Sequence, residues 1–266
     1  MGRVDWAGLP EGVRAAVAAR MGPVGAVEDV PHGFTCRFAA LLSTAGGRVF
    51  VKGVPADDER GRAAQGLEMA VNSAVAAVSP RLLWHLEAGG WDLLGFEAVP
   101  TRHADLSSGS ADLPLVAAVL EEAQGLRLPA GVVLPQLVDR DLDGFLTPAD
   151  RELLLGDVLL HTDTNPHNLL VGDVRAWLVD WAMPAVGPAW VDVAYMAVWL
   201  MAEGCTPGEA LGWASRFASW TSADPAAVAA FVDATCRHWT DRVGERGARR
   251  SITRFEALLG AGVHAV

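Results

Sequence analysis

The chain has 266 residues, 51% of them hydrophobic, enough apolar mass for one large core or two moderate ones. Its 21 basic and 32 acidic residues give a formal charge of −11, which opposes binding to nucleic acid or anionic membranes and leaves room for a cationic partner. Cys36, Cys205 and Cys236 are odd in number and widely spaced, so they suggest neither a disulfide framework nor a paired metal site, and a reducing cytoplasm is the expected setting.

The opening MGRVDWAGLPEG has no apolar run of signal-peptide kind. A short helix is expected from near Pro10. Residues 24–54 then read as strands: VGAVEDV, TCRFAALLST, a turn at Ala45-Gly46-Gly47, and RVFVKGV. Residues 57–77 turn alanine-rich with apolar positions at helical spacing, and RLLWHLE and WDLLGFEAV make a second strand pair turning at Gly89-Gly90. TRHADLSSGSADLP gathers Ser, Gly, Asp and Pro and marks a boundary, followed by a helix, LPLVAAVLEEAQ, for which Ser110 or Asp112 is the expected cap.

Thr147-Pro148 starts a further helix, with threonine as cap and proline in the first turn. One hairpin, NLLVGDVRAWLVD, interrupts a mainly helical remainder with helices expected over 190–202, 206–219, 224–242 and about 248–262. The longest apolar run, 193–202, stops at Glu203 and is too short to span a bilayer. The resulting fold class is α+β, with a strand-rich lobe over 1–99 and a helical lobe over 100–266, and a ligand cleft between them.

Lys52 is the only lysine among the 21 basic residues, and it falls on the third strand. The densest polar cluster is HTDTNPHN, 161–168, lodged between apolar runs. It uses two of the chain's three asparagines, Asn165 and Asn168, and a further carboxylate, Asp180, follows in the apolar context WLVDWA. An unpaired carboxylate there would be costly, so a metal or a lysine partner is expected. His161, Asp163 and His167 can also be read as ligands of a transition metal in a hydrolase. That reading asks for paired histidines downstream, where only His238 and His264 remain.

His-x-Asp-x-x-x-x-Asn, an apolar hairpin and then Asp resembles the catalytic loop and metal segment of the aminoglycoside phosphotransferase family, the small-molecule branch of the protein-kinase-like fold. The resemblance implies a bilobal enzyme that moves the γ-phosphate of ATP or GTP to a hydroxyl of a small, amine-bearing molecule. It implies Asp163 as the catalytic carboxylate, Lys52 on the α and β phosphates with Glu68 as its partner, and Asn168 and Asp180 on Mg²⁺. It also implies Gly33, Phe34 and Thr35 as the loop over the phosphates and 96–99 as the hinge, with Glu97 and Val99 presenting backbone groups to the base.

By the same resemblance His161 braces the loop, and Asp192 supports it from a helix. Glu59 is a nearby alternative to Glu68. Asp139, Asp141 and Asp143 read as a solvated face. Thr162 stands where the family commonly has glycine and protein kinases have arginine, and Ala182 where protein kinases have glycine. No GxGxxG occurs near residue 33, which fits the small-molecule branch. The alternative within this fold is a nucleotide-binding module without catalysis.

Overall fold

The computed structural model describes residues 3–30 and 36–263. The expected phosphate loop, Gly33, Phe34 and Thr35, lies outside the described residues. In the N-terminal part, α1 (Glu11–Met21) precedes β1 (Ala26–Asp29), β2 (Phe38–Thr44), β3 (Gly47–Pro55), α2 (Glu59–Val75), β4 (Leu82–Ala88) and β5 (Trp91–Glu97). The five strands form an antiparallel sheet in the order β1-β2-β3-β5-β4. β3 is therefore the central strand, and Lys52 sits opposite Ala39 of β2 and Leu94 of β5. Both expected hairpins are present.

One core gathers Phe38, Leu42, Val51, Trp84 and Leu93 under Leu9, Val13 and Val17. These last three come from α1 and the turn before it, so that helix covers the sheet. The helix α2 has Asp58 as its cap, accepting from the Gly61 amide at 2.9 Å. Its buried residues Gly61, Gln65, Glu68, Asn72 and Val75 recur every three or four positions, one continuous stripe. That stripe carries Glu68 inward while Glu59 begins the helix at the surface. Asn72 secures the far end: its amide donates to Pro80 O at 3.1 Å and accepts from the Leu82 amide at 2.7 Å.

Beyond residue 100 come β6 (Arg102–His103), α3 (Leu113–Gln124), α4 (Leu137–Arg140), α5 (Pro148–Leu153), β7 (Val158–Leu160), β8 (Leu169–Val171), β9 (Ala176–Leu178) and β10 (Ala185–Gly187). The helices α6 (Trp190–Ala202), α7 (Pro207–Ala214), α8 (Ala218–Thr221) and α9 (Pro225–Ala257) follow, and a 3-10 turn, Leu258–Val263, ends the described chain. A second, larger core joins α3, α6 and α9 with the short strands and takes in Val71, Val75 and Val78 at the end of α2. The architecture is an α+β bilobal, protein-kinase-like fold.

Several elements differ from their expected form. The helix expected over 206–219 stops at Ala214, because Phe217 takes an extended backbone and drives its ring into the core, leaving it 3% exposed. The two helices expected over 224–242 and 248–262 are both present within α9 and meet at Gly244, whose φ of 74° and ψ of 162° turn the chain back, and the second ends at Ala257 rather than 262. Phe231 before the break and Phe255 after it then meet with ring centres 6.1 Å apart. Asp112 precedes α3 without capping it. Its carboxylate is held instead by the Arg102 guanidinium and the Asp105 amide, and Ser110 Oγ accepts from the Asp112 amide at 3.2 Å.

Candidate active site

Lys52 Nζ lies 2.6 Å from Glu68 Oε2 and 2.6 Å from Asp180 Oδ1. Lys52 and Glu68 are each 4% exposed, and the Phe96 ring stands 5.8 Å from the ammonium. Burial alone would lower the lysine's pKa, but Asp180 and Glu68 together outweigh it and hold the cation charged. Burial pushes the Glu68 carboxyl up to about 7, against the opposing pull of Lys52. The site therefore keeps one cation between two carboxylates. Cys36 faces the same group of charges, and burial raises its thiol.

The catalytic-loop candidates are assembled by β7 and by the β8–β9 hairpin. Pairing of Leu169 with Leu178 sets the two ends of that hairpin side by side, and the Val179 amide donates to Asn168 O at 2.9 Å. Asn168 and Asp180 are thereby neighbours across the ladder. The Asn168 amide nitrogen donates to Asp163 O at 2.9 Å and to Asp163 Oδ2 at 3.1 Å, which leaves its carbonyl oxygen as the donor for a metal. Asn165 adds a bond to Asp163 Oδ1 at 2.8 Å and caps the 3-10 turn Pro166–Asn168 by accepting from the His167 amide. The Asp163 carboxylate is thus fixed on both oxygens.

His161 is fully buried. Its Nε2 lies 2.9 Å from Val179 O, and its Nδ1 accepts from the Asp163 amide at 3.2 Å. Both ring nitrogens are engaged, so the metallohydrolase reading loses its first ligand. Trp181, 1% exposed, donates its indole N–H to Leu178 O at 2.9 Å and meets the His161 ring edge-on at 4.7 Å. The residue after Asp180 is an anchor.

Asp192, on α6, accepts from the amides of His161 at 2.7 Å and Thr162 at 2.8 Å. Burial raises its carboxyl, and those amides oppose the shift. Thr162 has a φ of 68°, the left-handed region that explains the family's usual glycine. For a β-branched residue this conformation costs about 1–3 kcal/mol. Two hydrogen bonds to an ionised carboxylate contribute about 1.5–3 kcal/mol each, enough to hold the strained turn. Asp180 is also left-handed, at φ 64°.

The aspartates read as a solvated face are mostly engaged. Asp139 pairs with Arg151, and Asp141 is gripped by Arg140, while Asp143 is exposed. Arg140 also reaches the catalytic loop, a link that sequence inspection missed because α4 is a single turn with no periodicity to reveal its inward side. Asn165 was visible in the sequence as a loop asparagine, though not as a partner of Asp163. At the expected hinge, the Glu97 amide donates to Arg81 O at 2.9 Å and its carboxylate pairs with the Arg81 guanidinium. Val99 O accepts from Thr101 Oγ1 at 3.3 Å.

The family model described as the phosphotransferase enzyme family matches residues 16–242. The chain belongs to this family. Among solved structures, this phosphotransferase is similar to the choline kinase LicA from Streptococcus pneumoniae, with 14% identity and a TM-score of 0.60 over 93% of this chain and 98% of that one. It is similar to a thermostable aminoglycoside phosphotransferase, APH(4)-Ia, with 14% identity and a TM-score of 0.62 over 95% of this chain and 100% of that one. A choline/ethanolamine kinase family protein from Mesorhizobium loti gives 15% identity and a TM-score of 0.55, covering 93% of each chain. No curated protein gives a significant match. The phosphotransferase is a small-molecule kinase by family, and no helix among its described residues is long and apolar enough to cross a membrane.

Proposed function

We propose that this kinase moves the γ-phosphate of ATP or GTP to a hydroxyl of a small, amine-bearing molecule. The reading is carried by one observation: Lys52, buried with Glu68, also pairs with Asp180, and Asn168 beside Asp180 on the hairpin helps Asn165 hold the Asp163 carboxylate. Nucleotide kinship has support in structures of the APH(4)-Ia relative, one of which holds ADP and hygromycin B. An amine-bearing acceptor fits the −11 charge of the chain and the choline and aminoglycoside kinases of similar shape. The cytoplasm is the proposed location, and the proposed lobes are 1–99 and 100–266.

Phosphoryl transfer asks mostly for positioning and charge stabilisation. Asp163, with both oxygens fixed, accepts a hydrogen bond from the acceptor hydroxyl and aims it at the γ-phosphate. Lys52, charged and anchored on a central strand, reaches the α and β phosphates, and Glu68 sets its direction. Backbone groups of Glu97 and Val99 meet the base. The Asn168 carbonyl oxygen and the Asp180 carboxylate are oxygen donors of the kind Mg²⁺ takes, and they would hold it. When bound there, the ion neutralises phosphate charge.

Purified protein assayed with Mg²⁺ and ATP or GTP against aminoglycosides, choline-like alcohols and neutral polyols tests the reading. Acceptor-dependent turnover that Asp163→Asn abolishes is the expected result. Nucleotide binding without transfer to any acceptor would overturn it in favour of a binding module.

A further inference from the structure

We propose that Arg140 is a positioning residue for phosphoryl transfer, pinning the catalytic loop to the metal-binding segment through Thr162; the assignment rests on the phosphotransferase reading above. Arg140 lies on α4, outside every segment that carries the expected catalytic groups. Its Nε donates to Asp141 Oδ1 at 2.8 Å and its Nη2 to Thr162 Oγ1 at 2.7 Å. Nη2 also bonds Asp141 Oδ2, and Nη1 bonds the Met183 carbonyl. Four of the five guanidinium N–H groups are thus committed.

The network closes on itself. Thr162 Oγ1 accepts from Arg140 and donates to Met183 O at 2.7 Å, so Met183 O receives two donors and the hydroxyl is used in both directions. Thr162 immediately precedes Asp163, and Met183 lies three residues after Asp180. One side chain therefore connects the segment carrying the proposed catalytic carboxylate to the segment carrying the proposed metal ligand. Asp141 balances the charge and fixes the guanidinium plane, the bidentate geometry arginine supplies and lysine does not. The α4 turn is tied down in its own right by the bridge of Gln136 to Val186 and by the Val186 amide on Pro135 O.

This arrangement also accounts for threonine at a left-handed position. Glycine would remove the backbone strain at φ 68° but would take away the hydroxyl that Arg140 and Met183 share. Strain and pin are therefore separable by substitution across the pair, since Arg140→Ala breaks the pin and leaves Thr162 in its left-handed backbone. Thr162→Gly relieves the first and breaks the second, whereas Thr162→Ser keeps the pin.

The test compares Arg140→Ala, Thr162→Gly, Thr162→Ser and the Arg140→Ala/Thr162→Gly double variant in kcat, nucleotide KM and thermal midpoint. The expected result is a loss in kcat of about 10- to 100-fold for Arg140→Ala and Thr162→Gly, with nucleotide KM within about threefold, the pattern of an interaction realised in the transition state. Thr162→Gly keeps or raises the thermal midpoint, the double variant is no slower than the worse single one, and Thr162→Ser stays near wild type. Millimolar guanidinium restores part of the kcat of Arg140→Ala, and methylammonium does not. Losses in kcat that follow the thermal midpoint, or a Thr162→Gly variant with wild-type kcat, overturn the proposal.

Hydrogen exchange of the peptides covering 161–164 and 179–184 supplies a readout independent of turnover. Faster exchange in both peptides in Arg140→Ala supports the pin, and unchanged exchange overturns it. A wild-type protein that transfers phosphate to no acceptor defeats the phosphotransferase reading instead, and Arg140 is then judged on exchange alone.

Discussion

Lys52 Nζ and Asp180 Oδ1 stand 2.6 Å apart although 128 residues separate them in the chain. The same ammonium meets Glu68 at 2.6 Å, so one cation serves two carboxylates from two parts of the fold. Lys52→Met leaves both anions without their cation, and removing one partner of a buried pair costs about 3–5 kcal/mol. Urea denaturation of Lys52→Met should show a loss of that size, alongside turnover reduced to background. Glu68→Gln keeps the shape and leaves Lys52 paired with Asp180, so no buried charge is orphaned. It should stay within about 1 kcal/mol of wild type, while nucleotide KM rises.

Gly244 takes a φ of 74° and a ψ of 162° inside α9, a region that is essentially glycine's alone. The reversal it makes brings Phe255 against Phe231 at 6.1 Å and against Tyr195 at 6.1 Å. Gly244→Ala should cost about 1–3 kcal/mol, read as a lower urea midpoint. The near-ultraviolet circular dichroism of the aromatic cluster should weaken with it.

A Cβ on Gly156 would stand 2.1 Å from the Gly187 carbonyl carbon, and backbone cannot move aside as a side chain can. Gly156 is also held by Gln136 through both of that residue's amide atoms. Gly156→Ala therefore wedges the start of β7 away from β10, just ahead of the catalytic loop. The overpacking cost is about 1–3 kcal/mol, and kcat should fall with the thermal midpoint, in contrast to Thr162→Gly.

Hydrogen bonds from Ser108, then from Thr206, hold the Glu209 carboxyl well below its ordinary value of 4.5, at about 2. With the folded pKa depressed, the stability this group contributes is present above pH 4.5 and is lost as pH falls toward 2. Glu209→Gln should lower stability slightly above pH 4.5, by an amount that solvent screening of this exposed side chain keeps small, and leave it unchanged near pH 2, so that part of the acid unfolding profile flattens. Thr206→Ala, which breaks the capping box of α7, should lower stability at neutral pH by about 1 kcal/mol.

Long periodic segments were legible in the sequence. The helix 113–124 and the helix 190–202 have the expected bounds, and both double-glycine turns form hairpins. Lys52 and Glu68 were legible because each lies on an element with a clear pattern, whereas Asp163, Asn168 and Asp180 fall in loops or a short 3-10 turn and were legible through their spacing around the apolar hairpin. What escaped notice was short or tertiary. The three-residue strands β7 and β10 and the two-residue β6 are too brief to show alternation, and the pairing of Arg140 with Thr162 depends on a loop crossing that local composition does not encode. Asp112 misled for a related reason: a good capping residue gave its carboxylate to Arg102, a more strongly attracting partner.

The solitary lysine at the centre of the sheet has one further consequence. A protease that cuts only after lysine has a single cleavage point in this chain, at a 4% exposed residue whose strand is paired on both sides. Cleavage there requires β3 to leave its neighbours, so the rate of one cut reports the population of molecules in which the central sheet has opened. A nucleotide that binds the folded site lowers that population by mass action, and the protection it confers on a single peptide bond measures its affinity without any phosphate being transferred.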